Sequence, residues 1–64
     1  MTKRQKQALD AIRNIGSISF TTYEVSGGLR IGSDYFSFRT LDSLRDRQLL
    51  KYSLSGFNFT ITVA

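Results

Sequence analysis

The chain contains neither cysteine nor histidine, so its 64 residues have to fold without a disulfide and without the usual zinc ligands. A domain of this length buries only about 60% of the surface that its unfolded chain exposes. Its stability must therefore come from close packing of a few apolar side chains. We expect a single domain over residues 1–64, with no metal and no cofactor.

The N-terminal segment has the apolar spacing of an amphipathic helix. Ala8, Ile12 and Ile15 recur three and four residues apart, which predicts a helix over residues 2–15. Gly16 can adopt the left-handed conformation that ends many helices. Residues 17–20 then alternate polar and apolar side chains and predict a short, half-buried strand.

A second helix is expected after this strand. Thr21-Thr22-Tyr23-Glu24 has the form of a capping box, in which a hydroxyl precedes a carboxylate by three residues. The helix would stop near Gly27-Gly28, because glycine disfavours further helical turns. Val25 and Leu29 would face inward, and residues 29–32 would form a turn.

A third, longer helix is expected to run to about Gln48, with an inner face of Phe38, Leu41 and Leu44. Two starting points are open. With a start at Ser33 or Asp34, Phe36 points outward; with Ser37 as the cap, Phe36 packs on Leu41 as a hydrophobic staple. We favour the earlier start, because the turn of a helix-turn-helix is short.

The C-terminal segment predicts a β-hairpin. Apolar and polar residues alternate on both sides of Ser55-Gly56, which is typical of a two-residue hairpin loop. Such a loop pairs Leu54 with Phe57, Tyr52 with Phe59 and Leu50 with Ile61, all on one face. We expect four phenylalanines to lie in the core: Phe20, Phe38, Phe57 and Phe59.

The order of these elements resembles that of the winged helix-turn-helix family. Residues 21–25 are similar to the opening of the family's second helix, and residues 41–52 resemble its third helix running into the first wing strand. Gln48 stands where the family usually has glycine. The resemblance implies an α+β winged helix with three helices, a short strand and a C-terminal β-hairpin wing.

The net charge of +4 favours a polyanionic partner. The resemblance implies a regulator of transcription that binds double-stranded DNA and places its third helix in the major groove. Asp42 and Asp46 on that helix favour instead an ordinary solvated face, because carboxylates repel phosphates. The residues expected at the DNA are Ser33, Tyr35, Arg39, Thr40, Ser43 and Arg47, with Lys51 on the wing and Lys3 and Arg4 at a flexible N-terminus.

Other functions remain open at this point. One alternative is a winged-helix module that binds a protein partner or a second copy through a small apolar patch formed by Phe36, the hairpin edge and the short wing. Another is an accessory factor in replication or recombination. An enzyme is not expected, because Asp42 and Asp46 lack a neighbouring base or metal ligand. No small-molecule substrate is expected. No apolar run approaches the ~20 residues of a membrane-spanning helix, and we expect a cytoplasmic protein that binds no membrane.

Overall fold

The helix expected at the N-terminus forms over Lys3–Ile15 (α1) in the computed structural model, which describes all 64 residues. The Thr2 hydroxyl accepts a hydrogen bond of 3.1 Å from the Gln5 amide, and the Gln5 side chain accepts one of 2.8 Å from the Thr2 amide. This reciprocal pair is a capping box. Gly16 ends the helix, as predicted, and has a positive φ of 82°, but its ψ of −53° lies outside the left-handed helical region. The buried residues of α1 are Ala8, Leu9 and Ile12.

The strand predicted next is confirmed as β1, Ser17–Thr21. The prediction of a second α-helix after this strand is wrong. Only one 3₁₀ turn forms, over Thr22–Glu24, and the Thr21 side chain makes no capping hydrogen bond. The structure therefore has two α-helices rather than three.

The chain then forms a hairpin where a helix end and a turn were expected. Strands β2 (Gly28–Ile31) and β3 (Asp34–Ser37) pair antiparallel, so the predicted turn over residues 29–32 is wrong. Leu29 lies opposite Phe36, and both are buried. Tertiary burial of these alternating apolar residues outweighs the local capping signal.

The helix predicted as the third of the chain forms as α2, Phe38–Asp46. The predicted start at Ser33 or Asp34 is therefore wrong, and the alternative, with Ser37 as the cap, is confirmed. The Ser37 hydroxyl caps α2 by accepting a hydrogen bond of 3.3 Å from the Thr40 amide. Phe36, the residue before the cap, is 1% exposed and belongs to the same core as Leu41.

Gln48 ends the α2 region in a left-handed conformation, with φ 62°. Its amide donates a hydrogen bond of 2.8 Å to the Arg45 carbonyl, and the Leu49 amide donates one of 3.0 Å to the Leu44 carbonyl. These two bonds define a Schellman motif, whose left-handed position is usually glycine.

The C-terminal hairpin forms from β4 (Leu50–Ser55) and β5 (Asn58–Val63), but its register differs from the prediction by two residues. The loop is Gly56-Phe57, with Gly56 at φ 61°, the backbone that a type II′ turn needs at its first central position. Observed pairs are Leu50 with Val63, Tyr52 with Ile61 and Leu54 with Phe59. A shift of two preserves the face of every strand residue, since side chains alternate with period two.

The core lies between the helices and the sheets. Strands β1, β5 and β4 form one antiparallel sheet in that order, α1 packs against β1 and β5, and α2 packs against β4. No buried side-chain polar atom lacks a hydrogen-bond partner. No helix has the length and apolar character needed to cross a membrane. The ten buried core residues are all apolar: Ala8, Leu9, Ile12, Leu29, Ile31, Phe36, Leu41, Leu44, Leu50 and Ile61.

Candidate nucleic-acid interface

The two carboxylates of α2 are both engaged by one arginine. The Arg45 guanidinium lies 3.8 Å from the Asp42 carboxylate and 3.4 Å from that of Asp46. Arg39, in the first turn of α2, and Arg47, the residue that caps its C-terminus, are exposed and form no ion pair. Arg39 and Arg47 are therefore unpaired cations, although Arg45 offsets only one of the two carboxylate charges beside them.

Two residues of α2 that were predicted to contact DNA make hydrogen bonds within the fold. The Ser43 hydroxyl accepts a hydrogen bond of 2.8 Å from the Gln5 amide group and donates one of 2.6 Å to the Thr40 carbonyl. The Thr40 hydroxyl lies 3.2 Å from that of Ser37, the cap of α2. Both residues are half-buried, so their hydroxyls fix the contact between α1 and α2 and the first turn of α2.

The N-terminal cations are part of a helix rather than a flexible arm. Lys3 begins α1 and is exposed. Arg4 is held in place: its guanidinium carbon lies 4.2 Å from the centre of the Phe36 ring, and its Nη2 donates a hydrogen bond to the Tyr35 carbonyl. Arg4 therefore joins α1 to β3, while its outer edge stays exposed.

Ser33 and Tyr35 lie on the β2–β3 hairpin, just before α2, and not within the helix. Ser33 is in the turn, and the exposed Tyr35 donates a hydrogen bond of 3.0 Å from its hydroxyl to the Ser26 carbonyl. Arg30 lies opposite Tyr35 across the hairpin and is also exposed. Sequence reasoning missed Arg30 as an exposed cation on the outer face of the hairpin; the alternation of Leu29, Arg30 and Ile31 was the signal for it.

Lys51 belongs to a different surface. Its neighbour Tyr52 faces α2, where the phenol donates a hydrogen bond of 2.9 Å to Asp42. Successive strand residues point to opposite faces, so Lys51 lies on the outer face of the sheet. Its neighbours on that face are hydroxyl residues, among them Thr62 directly opposite. The structure does not bring Lys51 together with the cations of α2.

A second feature, the aromatic cleft, lies between α2 and the inner face of the sheet and has a volume of about 340 Å³. The Phe20 and Phe59 rings stack at 5.3 Å, and Tyr52 meets Phe59 edge-on at 5.0 Å. Burial, together with the hydrogen bond to Asp42, raises the pKa of Tyr52 well above its ordinary value. The cleft is lined by Phe20, Val25, Phe38, Tyr52 and Phe59, with the polar residues Thr22, Asp42 and Arg45.

Two predictions about apolar residues are wrong. Phe57 was expected in the core but is 71% exposed, because the register shift places it in the loop of the β4–β5 hairpin. Phe36 was expected to contribute to a surface patch but is buried. The hairpin residue Leu54 is 62% exposed, so the hairpin part of that patch remains.

No group of three or more carboxylates is arranged to hold a metal ion. No family model matches the chain, and no curated protein or solved structure is significantly similar to it.

Proposed function

We propose that the chain is a winged helix in which the β2–β3 hairpin stands in place of the second helix, and that it binds double-stranded DNA as a regulator of transcription. The topology supports this proposal, since α2 directly precedes the β4–β5 hairpin and the sheet order is β1-β5-β4. A wing that follows its recognition helix has this connectivity. The observation that carries the proposal is the capture of Asp42 and Asp46 by Arg45.

Electrostatics favour a polyanion at the outward surface of α2. Arg45 offsets one of the two carboxylate charges of α2, and with Arg39 and Arg47 the segment 38–47 keeps a net charge of +1 that favours a phosphate backbone. The contact between Gln5 and Ser43 places the first turn of α1, with Lys3, beside α2. Arg4, one residue further along the same turn of α1, adds a second cation there. Several cations on one surface release condensed counterions from DNA, which drives association.

The dimensions of α2 suit the major groove. An α-helix with its side chains is about 10–12 Å in diameter and fits a groove about 12 Å wide, and the nine residues of α2 extend about 13 Å along it. Because Ser43 and Thr40 are engaged internally, arginine is the side chain left to read base edges. Arg39, in the first turn of α2, would contact guanine, and Arg47, at the other end, would contact phosphate.

The test is a titration of a mixed-sequence duplex with the protein at several salt concentrations. We expect the logarithm of the binding constant to fall linearly with the logarithm of salt concentration, with a slope of about −0.9 for each phosphate contacted. Arg39→Ala with Arg47→Ala should weaken binding strongly. The matched control is Arg13→Ala, since Arg13 lies on α1 and pairs with Asp10. A complex insensitive to salt, or no complex with any duplex at low salt, contradicts the proposal.

A further inference from the structure

An exposed apolar surface adjoins the aromatic cleft. Tyr23 and Phe57 are 77% and 71% exposed, and their rings meet edge-on at 6.0 Å. The Thr22 amide donates a hydrogen bond of 2.9 Å to the Phe57 carbonyl, which fixes the 3₁₀ turn against the hairpin loop. Leu54 lies opposite Phe59, a cleft residue. The three exposed side chains and the cleft therefore form one apolar surface, here called the cleft face.

Charge on the cleft face has the opposite sign to that of the whole chain. Glu24 lies between the cleft residues Thr22 and Val25, and Asp42 lines the cleft itself. Asp46 shares Arg45 with Asp42, and Arg45 is the one cation that lines the cleft. The cleft face is thus acidic in a chain of net charge +4. It would repel nucleic acid, and it would also repel the same face of a second copy.

Both the shape and the charge of this face fit one kind of occupant. A volume of about 340 Å³ is at the small end for a binding pocket and suits a single bulky side chain. Buried aromatic or large aliphatic anchors of this kind dominate many protein interfaces. Cations beside the anchor would meet Glu24 and Asp46, both of which are exposed.

We propose that the cleft face docks a short segment of a partner protein, with a phenylalanine or leucine side chain in the cleft and lysine or arginine on either side of it. Phe20 and Phe59 would contact the inserted side chain, and Leu54 and Phe57 would cover its backbone. The Asp42 carboxylate is half-buried and accepts the Tyr52 hydrogen bond. Glu24, by contrast, is exposed and unpaired, and Asp46 is exposed and shares Arg45 with Asp42, so the flanking cations would meet Glu24 and Asp46. This docking does not depend on DNA binding.

The test is selection of a random dodecapeptide library on the purified full chain, followed by NMR shift mapping with the peptides recovered. We expect enrichment of sequences with one phenylalanine or leucine between basic residues, and shifts at Phe20, Val25 and Phe59. Phe57→Ser and Leu54→Ser change exposed side chains and should keep the fold, yet weaken the selected peptides about tenfold or more. Glu24→Gln with Asp46→Asn should remove the preference for basic flanks. The matched control is Lys51→Ser, on the outer face of the same sheet, which should leave peptide affinity unchanged.

Three results would overturn the docking proposal. The first is a library that yields no such motif, and the second is peptide binding that is unaffected by Leu54→Ser and Phe57→Ser. The third is a concentration-dependent dimer in sedimentation that both variants abolish, because the occupant would then be a second copy. None of these results bears on DNA binding, which is measured by the salt titration.

Discussion

The Tyr52 hydroxyl donates a hydrogen bond of 2.9 Å to the Asp42 carboxylate and so joins β4 to α2 at the aromatic cleft. The Arg45 guanidinium lies over the Tyr52 ring, 4.9 Å from its centre, and also pairs with Asp42. Burial is the main reason that the pKa of Tyr52 is raised, and the hydrogen bond to Asp42 is the next. A phenolate at this position would be poorly solvated and would face a carboxylate.

The raised pKa of Tyr52 predicts a loss of stability at alkaline pH. In the unfolded chain Tyr52 ionises at about 10, whereas in the folded chain it keeps its proton to higher pH. Its contribution to the free energy of unfolding is therefore fully present below pH about 10 and falls as pH rises above that value. Urea unfolding across this range should show the fall, and Tyr52→Phe should make it smaller.

The Asp42→Asn variant tests how much of the raised pKa of Tyr52 is due to the carboxylate and how much is due to burial. We expect the pKa of Tyr52, followed by NMR of its ring carbon, to move down towards its ordinary value without reaching it, because burial remains. An unchanged pKa in this variant would show that the hydrogen bond to Asp42 has no part in the shift.

The left-handed backbone at Gln48 predicts a stabilising substitution. A residue with a Cβ costs roughly 1–2 kcal/mol in this conformation, and glycine avoids that cost while losing more entropy on folding. Gln48→Gly should therefore raise the free energy of unfolding by up to about 1 kcal/mol, or the melting temperature by about 4–8 °C. Gln48→Ala keeps the Cβ and should give no such gain. Equal melting temperatures for the two variants would contradict this explanation.

Features encoded by neighbouring residues were predictable from the sequence. Helix α1 and its end at Gly16 follow from apolar spacing and one glycine, and Thr2 with Gln5 shows the capping box in the sequence itself. The residues of β4 and β5 that face inward were also predictable, because the alternation along each strand does not depend on which residues pair. The predicted register of β4 and β5 was wrong. Gly56 can occupy either position of a two-residue loop, and the prediction placed it second, in Ser55-Gly56, whereas it stands first, in Gly56-Phe57.

Features that depend on distant contacts were not predictable in this way. The β2–β3 hairpin had a local signal that sequence reasoning missed, because Gly32-Ser33 is a two-residue hairpin loop, but the cover of the Phe36 ring by Arg4 from α1 depends on a distant contact. The sequence of residues 21–37 gives no indication that Arg4 packs on Phe36. Helical periodicity was enough to predict that Arg39 and Arg47 are exposed. The hydrogen bond from Gln5 to Ser43 could not be predicted, because it depends on how α1 and α2 are placed relative to each other.

Close packing at Gly28 predicts that the β2–β3 hairpin tolerates no side chain there. A Cβ on Gly28 would lie 2.6 Å from the Phe36 carbonyl oxygen and 2.6 Å from Cζ of Tyr35. Gly28→Ala should destabilise the chain by about 1–3 kcal/mol in urea unfolding, as overpacking does. Tyr35→Ala in the same chain should restore only part of that loss, since the Phe36 carbonyl belongs to the backbone. Full restoration would show that the Tyr35 ring alone forbids a side chain.

The two free arginines of α2 predict two different effects on DNA binding. Arg39 lies in the first turn, the end of a recognition helix that usually meets base edges, whereas Arg47 follows the last turn. Arg39→Ala should cost about 1–3 kcal/mol on the preferred duplex and relax the preference at one base pair, as loss of a paired arginine–guanine contact does. Arg47→Ala should weaken all duplexes alike and reduce the salt slope by about one unit.

Binding-site selection with each variant, followed by salt titration on the selected and on an unrelated duplex, measures both effects. Arg13→Ala serves as the control on α1 and should change neither the preference nor the slope. If Arg39→Ala leaves affinity and sequence preference unchanged, α2 does not read the bases. Ser43 and Thr40 already make hydrogen bonds within the fold, and the first turn of α2 contains no other arginine.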